Sequence, residues 1–444
     1  MARRSSTAAV RAMPPDQLRP FVLAEKARRS FREYVRQAWP LAGTTEPLLW
    51  GWHLDAICDH LQAVEAGQIR HLLINEPPGH GKSKIVSVLF PTWVWTRTPA
   101  AQFLCASYAA AFAERDSGYA RDLIESEWYR TRFMRGWTLK PDQNAKWFWA
   151  NTMQGHRLSI GVGGTGARAD YEIIDDPISA DDVLSKAARV STNTWISQTL
   201  TTRFNDAQTG RAVMIMQRLH EDDPSSFLLA GDGWEHLRLP SEFEREHRSV
   251  TYVYVKVPAN GAPAHEERRE FWRDPREEEG ELLFPVKFPK VALDELKRPN
   301  ALGELGYAGQ HQQRPAPLGG GMFKVKDWRF WKPDGISPRD ADGLVTQRPR
   351  GCYEGPALPL PPSFDRVIIS VDATFKKTAT GSFVAIHVWG AAGARRLLLD
   401  RVHSRMDFDE TVQALLSIIA KWPDAREKVI EAKMGATRAE IAEA

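Results

Sequence analysis

The sequence predicts an α/β protein made of two successive α/β units, the first built on a mostly parallel sheet. Three observations predict it. Between residues 71 and 240, apolar strand-like runs alternate with helical stretches. One of those strands runs straight into a glycine-containing loop and then a helical pattern. A second strand-and-helix alternation opens near residue 361, after the Pro/Gly-rich stretch RPRGCYEGPALPLPP.

With 444 residues, 43% hydrophobic and 26% charged, the chain is long enough for two or three ordinary cores. No stretch reaches the roughly 18 to 20 apolar residues of a membrane span. The start, MARRSSTAAVRAMPPDQLRP, lacks the apolar core of a secretory signal, so the expected location is cytoplasmic. Cys58, Cys105 and Cys352 lie far apart and match no paired metal-ligand spacing, so they are expected as reduced thiols in packed regions.

The formal net charge of +3 conceals an uneven distribution. Residues 1–40 carry nine basic and three acidic side chains. Residues 1–45 are therefore expected to be a basic N-terminal arm, either drawn to nucleic acid by counterion release or a solvated, partly helical tail. Next, Leu54, Ile57, Cys58, Leu61 and Val64 recur at helical spacing. The strands expected after them are HLLINE (71–76), QFLCAS (102–107), RLSIGV (157–162), YEIIDD (171–176), RAVMIMQ (211–217) and EHLRLP (235–240). They place a first domain at 46–240. Residues 241–360, charge-dense around a short TYVYVKV, are expected to be an irregular excursion and linker. The second domain, 361–444, is expected to hold strands in DRVIISVDAT, SFVAIHVWG, RRLLLDRVHS and KVIEAK, with a helix in DFDETVQALLSIIAKW.

The strand at 71–76 leads into PPGHGKS (77–83) and then KIVSVLFPTWVW. A nucleotide phosphate site requires this order of strand, glycine loop and helix. Gly79 and Gly81 let the backbone aim N–H groups at phosphate oxygens, which then lie at the positive end of the helix. The loop residues Pro78, Gly79, His80, Gly81, Lys82 and Ser83 are the expected ATP contacts, with Lys82 bridging the β and γ phosphates and Ser83 holding Mg²⁺. Glu76 stands where the usual pattern has its first glycine. Asp175 and Asp176 end a buried strand at the carboxyl edge, where α/β sheets place ligands. Asp175 suits the Mg²⁺ shell and Asp176 the attacking water; the plainer alternative is that this pair caps the next helix. Gln217 and Arg218 end a third strand as a γ-phosphate sensor. Arg168, in the glycine-rich GVGGTGARAD, is a further candidate for contacting a phosphate on its own or a neighbouring subunit, unless the glycines mark only a tight turn.

The ordered series PPGHGKS, GGTGARADYEIIDDP, MIMQRLHEDD, LPSEFE and AGQHQQRP resembles the large terminase subunit of tailed phages and prophages, from about Trp50 to the end of the chain. The resemblance implies a P-loop ATPase of the additional-strand class joined to a ribonuclease H-like nuclease. Such a protein drives double-stranded DNA into an empty capsid and cuts concatemeric DNA. The implied partners are a portal protein, a small terminase subunit and further copies in a ring, at the procapsid portal in the host cytoplasm. Gly79 stands where many members carry arginine, and Asp176 where many carry glutamate. In the nuclease half the resemblance makes Asp372 and Glu431 ligands of Mg²⁺ or Mn²⁺ in a two-metal site. The third carboxylate would fall beyond Ala444, so the nuclease is expected to be incomplete. Two other functions fit part of the pattern. A nucleic-acid-stimulated ATPase or helicase predicts a second RecA-like domain after residue 300, and a prophage remnant would bind partners without cleaving DNA. The sixteen tryptophans are expected mainly in cores and subunit contacts rather than stacked on bases.

Overall fold

The computed structural model describes residues 15–164, 168–200, 202–259, 262–315, 329, 331–332, 358–372, 384–404 and 406–430. The chain divides into two compact units, Met1–Leu318 and Gly319–Ala444.

The first unit is organised by an eight-stranded sheet. Its strands are β1 (His71–Asn75), β2 (Gln102–Ser107), β3 (Leu139–Asn144), β4 (Phe148–Asn151), β5 (His156–Gly161), β6 (Tyr171–Asp175), β7 (Arg211–Met216) and β8 (Glu235–Arg238), in the order β3-β4-β5-β2-β6-β7-β1-β8. From β5 to β8 every pairing is parallel, and β3 and β4 add an antiparallel edge. Strand β7 lies between β1 and β6, so one additional strand separates the glycine loop from Asp175. The central strands are apolar on both faces, as a covered parallel sheet requires. Leu72, Leu73, Ile74, Val213, Met214 and Ile215 are all buried.

The N-terminal segment differs from the expected arm. From Pro15 it forms two helices, Pro15–Arg29 and Phe31–Ala38. Ala27, Phe31, Tyr34, Val35 and Ala38 recur at helical spacing and are fully buried. Tyr34 Oη donates to Thr92 Oγ1 at 2.8 Å, and Trp93 Nε1 donates to the Ala27 carbonyl at 3.0 Å. Four of the basic side chains here pair with acids: Arg28 and Arg29 share Glu25, Arg32 pairs with Asp55 and Asp59, and Arg36 with Glu33. Charge counting missed this because the apolar stripe, not the charge, sets where the helix goes. Residues 1–14 lie outside the described residues.

The first unit also extends beyond residue 240. An antiparallel hairpin, β9 (Val250–Ala259) with β10 (Ala262–Arg273), brings Val253 into the main core and packs Phe271 and Trp272 against it. Phe243 and Leu283 are buried, and the Asp274–Arg276 ion pair is 1% exposed at both side chains. The expected excursion is therefore partly structural. Trp93, Trp95 and Trp149 are buried with their indole N–H groups bonded inside the protein. Cys58 and Cys105 are buried free thiols; Cys352 lies outside the described residues.

In the second unit the short strands β11 (Trp331–Lys332) and β12 (Leu358–Pro359) pair with each other. The main sheet holds β13 (Arg366–Asp372), β14 (Val384–Ala392), β15 (Arg395–Ser404) and β16 (Glu427–Ile430), in the order β15-β14-β13-β16. The first three form an antiparallel meander, and β16 joins parallel to β13 after the helix Phe408–Lys421. Leu415 and Ile418 of that helix pack on Ile369, Val388 and Leu399 of the sheet. Lys421 pairs with the buried Asp400 at 2.9 Å, and Trp422 Nε1 donates to the same carboxylate. Asp407 caps the helix by accepting from the Glu410 amide at 2.9 Å, while Glu410 accepts from the Asp407 amide at 3.1 Å. Asp407→Ala is expected to destabilise this unit by about 1 kcal/mol, read as a shifted midpoint in denaturant unfolding.

Candidate nucleotide site

Three strand ends meet at the carboxyl edge of the first sheet. β1 delivers the loop 76–83, β6 delivers Asp175 and Asp176, and β7 delivers Gln217 and Arg218. Gly79 and Gly81 adopt φ of 79° and 94°, the left-handed region open to glycine. A Cβ at Gly79 would also lie 2.9 Å from Phe288 Cζ, so a side chain there would have to displace that ring.

The decisive contact joins loop and aspartate. Ser83 Oγ donates to Asp175 Oδ1 at 3.1 Å, and Ser87 Oγ donates to Oδ2 at 2.8 Å. Ser83 and Asp175 are thus adjacent hard oxygen donors, the type Mg²⁺ selects. Burial, with Asp176 and Asp116 beside it, pushes the Asp175 carboxyl up to about 7. A buried carboxylate in such company is stabilised by a cation. These residues, with Arg157, line a cavity of about 220 Å³.

Asp176 has φ 44°, unusual for a non-glycine residue. Its amide donates to the Ile215 carbonyl at 2.9 Å and its carbonyl accepts from the Tyr108 amide at 3.1 Å, which fixes the conformation. The bend turns the chain sharply straight after Asp175, and no side-chain cap is needed to explain the pair.

Lys82 is 6% exposed and acts electrostatically on Glu76, Asp175, His80 and His311. His80 is buried, stacked on Phe288 at 4.4 Å, and burial holds its ring down at about 3, so it is neutral. It shapes the loop without adding charge. Gln217 places Oε1 in a buried position without a partner among the described residues. Arg218 is committed elsewhere: its Nε bonds both Asp223 oxygens at 3.0 and 2.9 Å, and Nη2 bonds Ser226 Oγ. Its amide donates to Gln313 Oε1 at 3.0 Å. The guanidinium therefore locks the turn after β7 rather than facing the loop. Arg168 is exposed and does not line the cavity at Asp175.

Glu76 is fully buried with both carboxylate oxygens unpartnered among the described residues. Burial pushes it up to about 8 from 4.5, against the opposing pull of Lys82. The folded chain keeps a proton that the unfolded chain releases near 4.5, so this group favours folding at low pH. That contribution shrinks as pH rises towards 8, by at most about 1.4 kcal/mol per pH unit. Glu76→Gln is expected to flatten the fall in melting temperature between pH 6 and pH 8.5; an unchanged slope would show that Glu76 is ionised in the folded chain.

No protein-family model matches the sequence, and no curated protein matches it. Among solved structures the chain is similar to the HK97 bacteriophage large terminase, at 10% identity, over 90% of this chain and 74% of that one, with a TM-score of 0.35. It is similar to the ATPase domain of the Thermus phage P74-26 large terminase at 11% identity, covering 63% of this chain and 97% of that one, with a TM-score of 0.35. The large terminase of a thermophilic bacteriophage, solved in complex with ADP, matches at 11% identity over 84% of this chain and 76% of that one, with a TM-score of 0.31.

In the second unit, Asp372 ends β13 at an exposed position. The β13–β16 register runs to Val371 opposite Ile430. Glu431 lies outside the described residues. Among the described residues no group of three or more His, Cys, Asp or Glu side chains could hold a metal ion, and no helix is long and apolar enough to cross a membrane.

Sequence reasoning missed Ser87, Arg157, Asp116 and Asp223. Ser87 had a signal, since it lies four residues after Ser83 on the same helical face. Asp223 had one too, in the acidic run following Arg218.

Proposed function

We propose that the chain is an ATP-hydrolysing motor that translocates double-stranded DNA into a phage procapsid, the large subunit of a terminase. The ATPase part is carried by one observation: Ser83 of the glycine loop and Asp175 of β6 share a hydrogen bond of 3.1 Å, with a strand inserted between their parent strands. The packaging part is supported by the ordered motif series in the sequence.

In this reading the N–H groups of the loop and Lys82 bind the triphosphate, while Ser83 and Asp175 hold the Mg²⁺ that neutralises its charge. Asp176, fixed by its backbone bonds to Ile215 and Tyr108, orients the attacking water. Gln217 senses the γ-phosphate, and the turn held by Arg218 and Asp223 carries the change to the segment around Gln313. Arg168, exposed and outside the cavity at Asp175, would act on the nucleotide of a neighbouring subunit. The second unit would be the nuclease half, with Asp372 and Glu431 as divalent-metal ligands. Its mixed sheet and antiparallel meander suit this better than the parallel RecA-like domain a helicase would need. Portal protein, small terminase subunit and sister copies are the proposed partners, at the portal in the host cytoplasm.

Phosphate release from ATP by the purified chain, measured with and without double-stranded DNA, tests this. Hydrolysis that rises severalfold with DNA is expected; no hydrolysis above background under either condition overturns it.

A further inference from the structure

The helix after the glycine loop begins as a π-helical turn, Lys84–Leu89, with Ser87 inside it. Such turns leave the regular bonding ladder imperfect and gather at functional sites. Here the Ser87 carbonyl is taken up from outside: Arg157 Nη1, from β5, donates to it at 2.6 Å. The Ser87 hydroxyl faces the other way and donates to Asp175 Oδ2. One residue therefore links a buried guanidinium to the metal-site aspartate.

Arg157 is 1% exposed. Its Nε reaches Ser159 Oγ at 3.4 Å, and Nη2 has no partner among the described residues, although the residue lines the cavity with Asp116 and Asp175. A guanidinium is expensive to bury, and an apolar side chain would be the cheaper occupant of a strand in a packed sheet. Its position is explained by what it holds: the carbonyl of the serine that in turn holds Asp175.

Each carboxylate oxygen of Asp175 has its own hydroxyl. Ser83 is the loop residue suited to bind metal, so Oδ1, which faces it, is the oxygen free to turn to a cation. Oδ2 is occupied by Ser87. We propose that Ser87 and Arg157 are positioning residues: through Ser87 Oγ they fix the rotation of the Asp175 carboxylate, so that Oδ1 is presented to the metal of a Mg²⁺–nucleotide. This rests on the nucleotide reading above and adds two residues to it. Both act through the Asp175 carboxylate, so their effect falls on the metal-dependent part of binding.

The test is the affinity for a fluorescent ADP analogue, measured once with Mg²⁺ and once in EDTA, for the parent chain, Ser87→Ala, Ser87→Thr and Arg157→Lys. Loss of an outer hydrogen bond to a metal ligand typically weakens metal-dependent binding about 10- to 100-fold. Ser87→Ala is expected to show such a loss in Mg²⁺ with affinity in EDTA unchanged within about twofold, and Ser87→Thr, which restores the hydroxyl, to recover most of it. Arg157→Lys, which keeps the charge but not the guanidinium geometry, is expected to fall between. Equal losses with and without Mg²⁺, or a threonine variant no better than alanine, would reduce Ser87 to a packing residue and overturn the proposal. A parent chain that binds no ADP in either condition sinks the nucleotide reading itself; a parent that binds normally beside an unaffected alanine variant sinks only this inference.

Discussion

Lys82→Ala is expected to lower the proposed ATP hydrolysis by at least about 100-fold, the scale on which a positioned charge stabiliser in a water-poor site acts. Lys82 is nearly buried in the loop, so in the proposed site its ammonium would meet phosphate oxygens where Coulomb attraction is weakly screened. The fold is expected to tolerate the change, because Lys82 fills no apolar core position. Circular dichroism should therefore match the parent while phosphate release disappears. A variant that hydrolyses ATP at the parental rate would remove Lys82 from the reaction and take the loop with it.

Asp223→Ala is expected to cost about 3 to 5 kcal/mol, because it strips the partner from an ion pair with little access to water. Asp223 is fully buried, and the Arg218 side chain is 11% exposed. The same carboxylate accepts from the amides of Leu219 at 3.0 Å and Ser226 at 3.1 Å, so its loss also uncaps the helix Pro224–Leu229. The melting temperature of the first unit should drop by about 10 °C. Because the turn it braces directly follows Gln217, any stimulation of hydrolysis by DNA should fall more than basal hydrolysis does. Asp223→Asn, which keeps acceptors for the amides but not the charge, should lie between the two. A melting temperature within about 1 °C of the parent would mean that Arg218 finds another partner.

The central sheet was legible because fully covered parallel strands leave continuous apolar runs. All six strands expected between residues 71 and 240 are present to within a residue or two. The edge strand Leu139–Asn144, with sequence LKPDQN, was not legible. It is polar, contains a proline, and is a strand only because β4 pairs with it. The N-terminal helices were obscured by their charge, although the stripe from Ala27 to Ala38 was there to be read.

At the site, the sequence pointed to Ser83 and Asp175 because each ends or follows a strand in a recognisable pattern. It could not reveal Arg157. Hydropathy assigns an arginine to the surface, whereas this one is buried and donates to the carbonyl of Ser87, 70 residues earlier in the chain. Arg218 shows the opposite case. Its place after β7 suggested a phosphate contact, but an acid five residues on had already claimed it.

The proposed motor depends on Ser83 and Asp175 converging on one metal–nucleotide, and a structure determined with ADP and Mg²⁺ tests this most directly. It should show phosphate oxygens on the backbone N–H groups of residues 79 to 83, and a cation within about 2.1 Å of Ser83 Oγ, the usual Mg²⁺–oxygen distance, on the side facing Asp175. Nucleotide bound away from this loop, or a cation with no relation to Asp175, would contradict it.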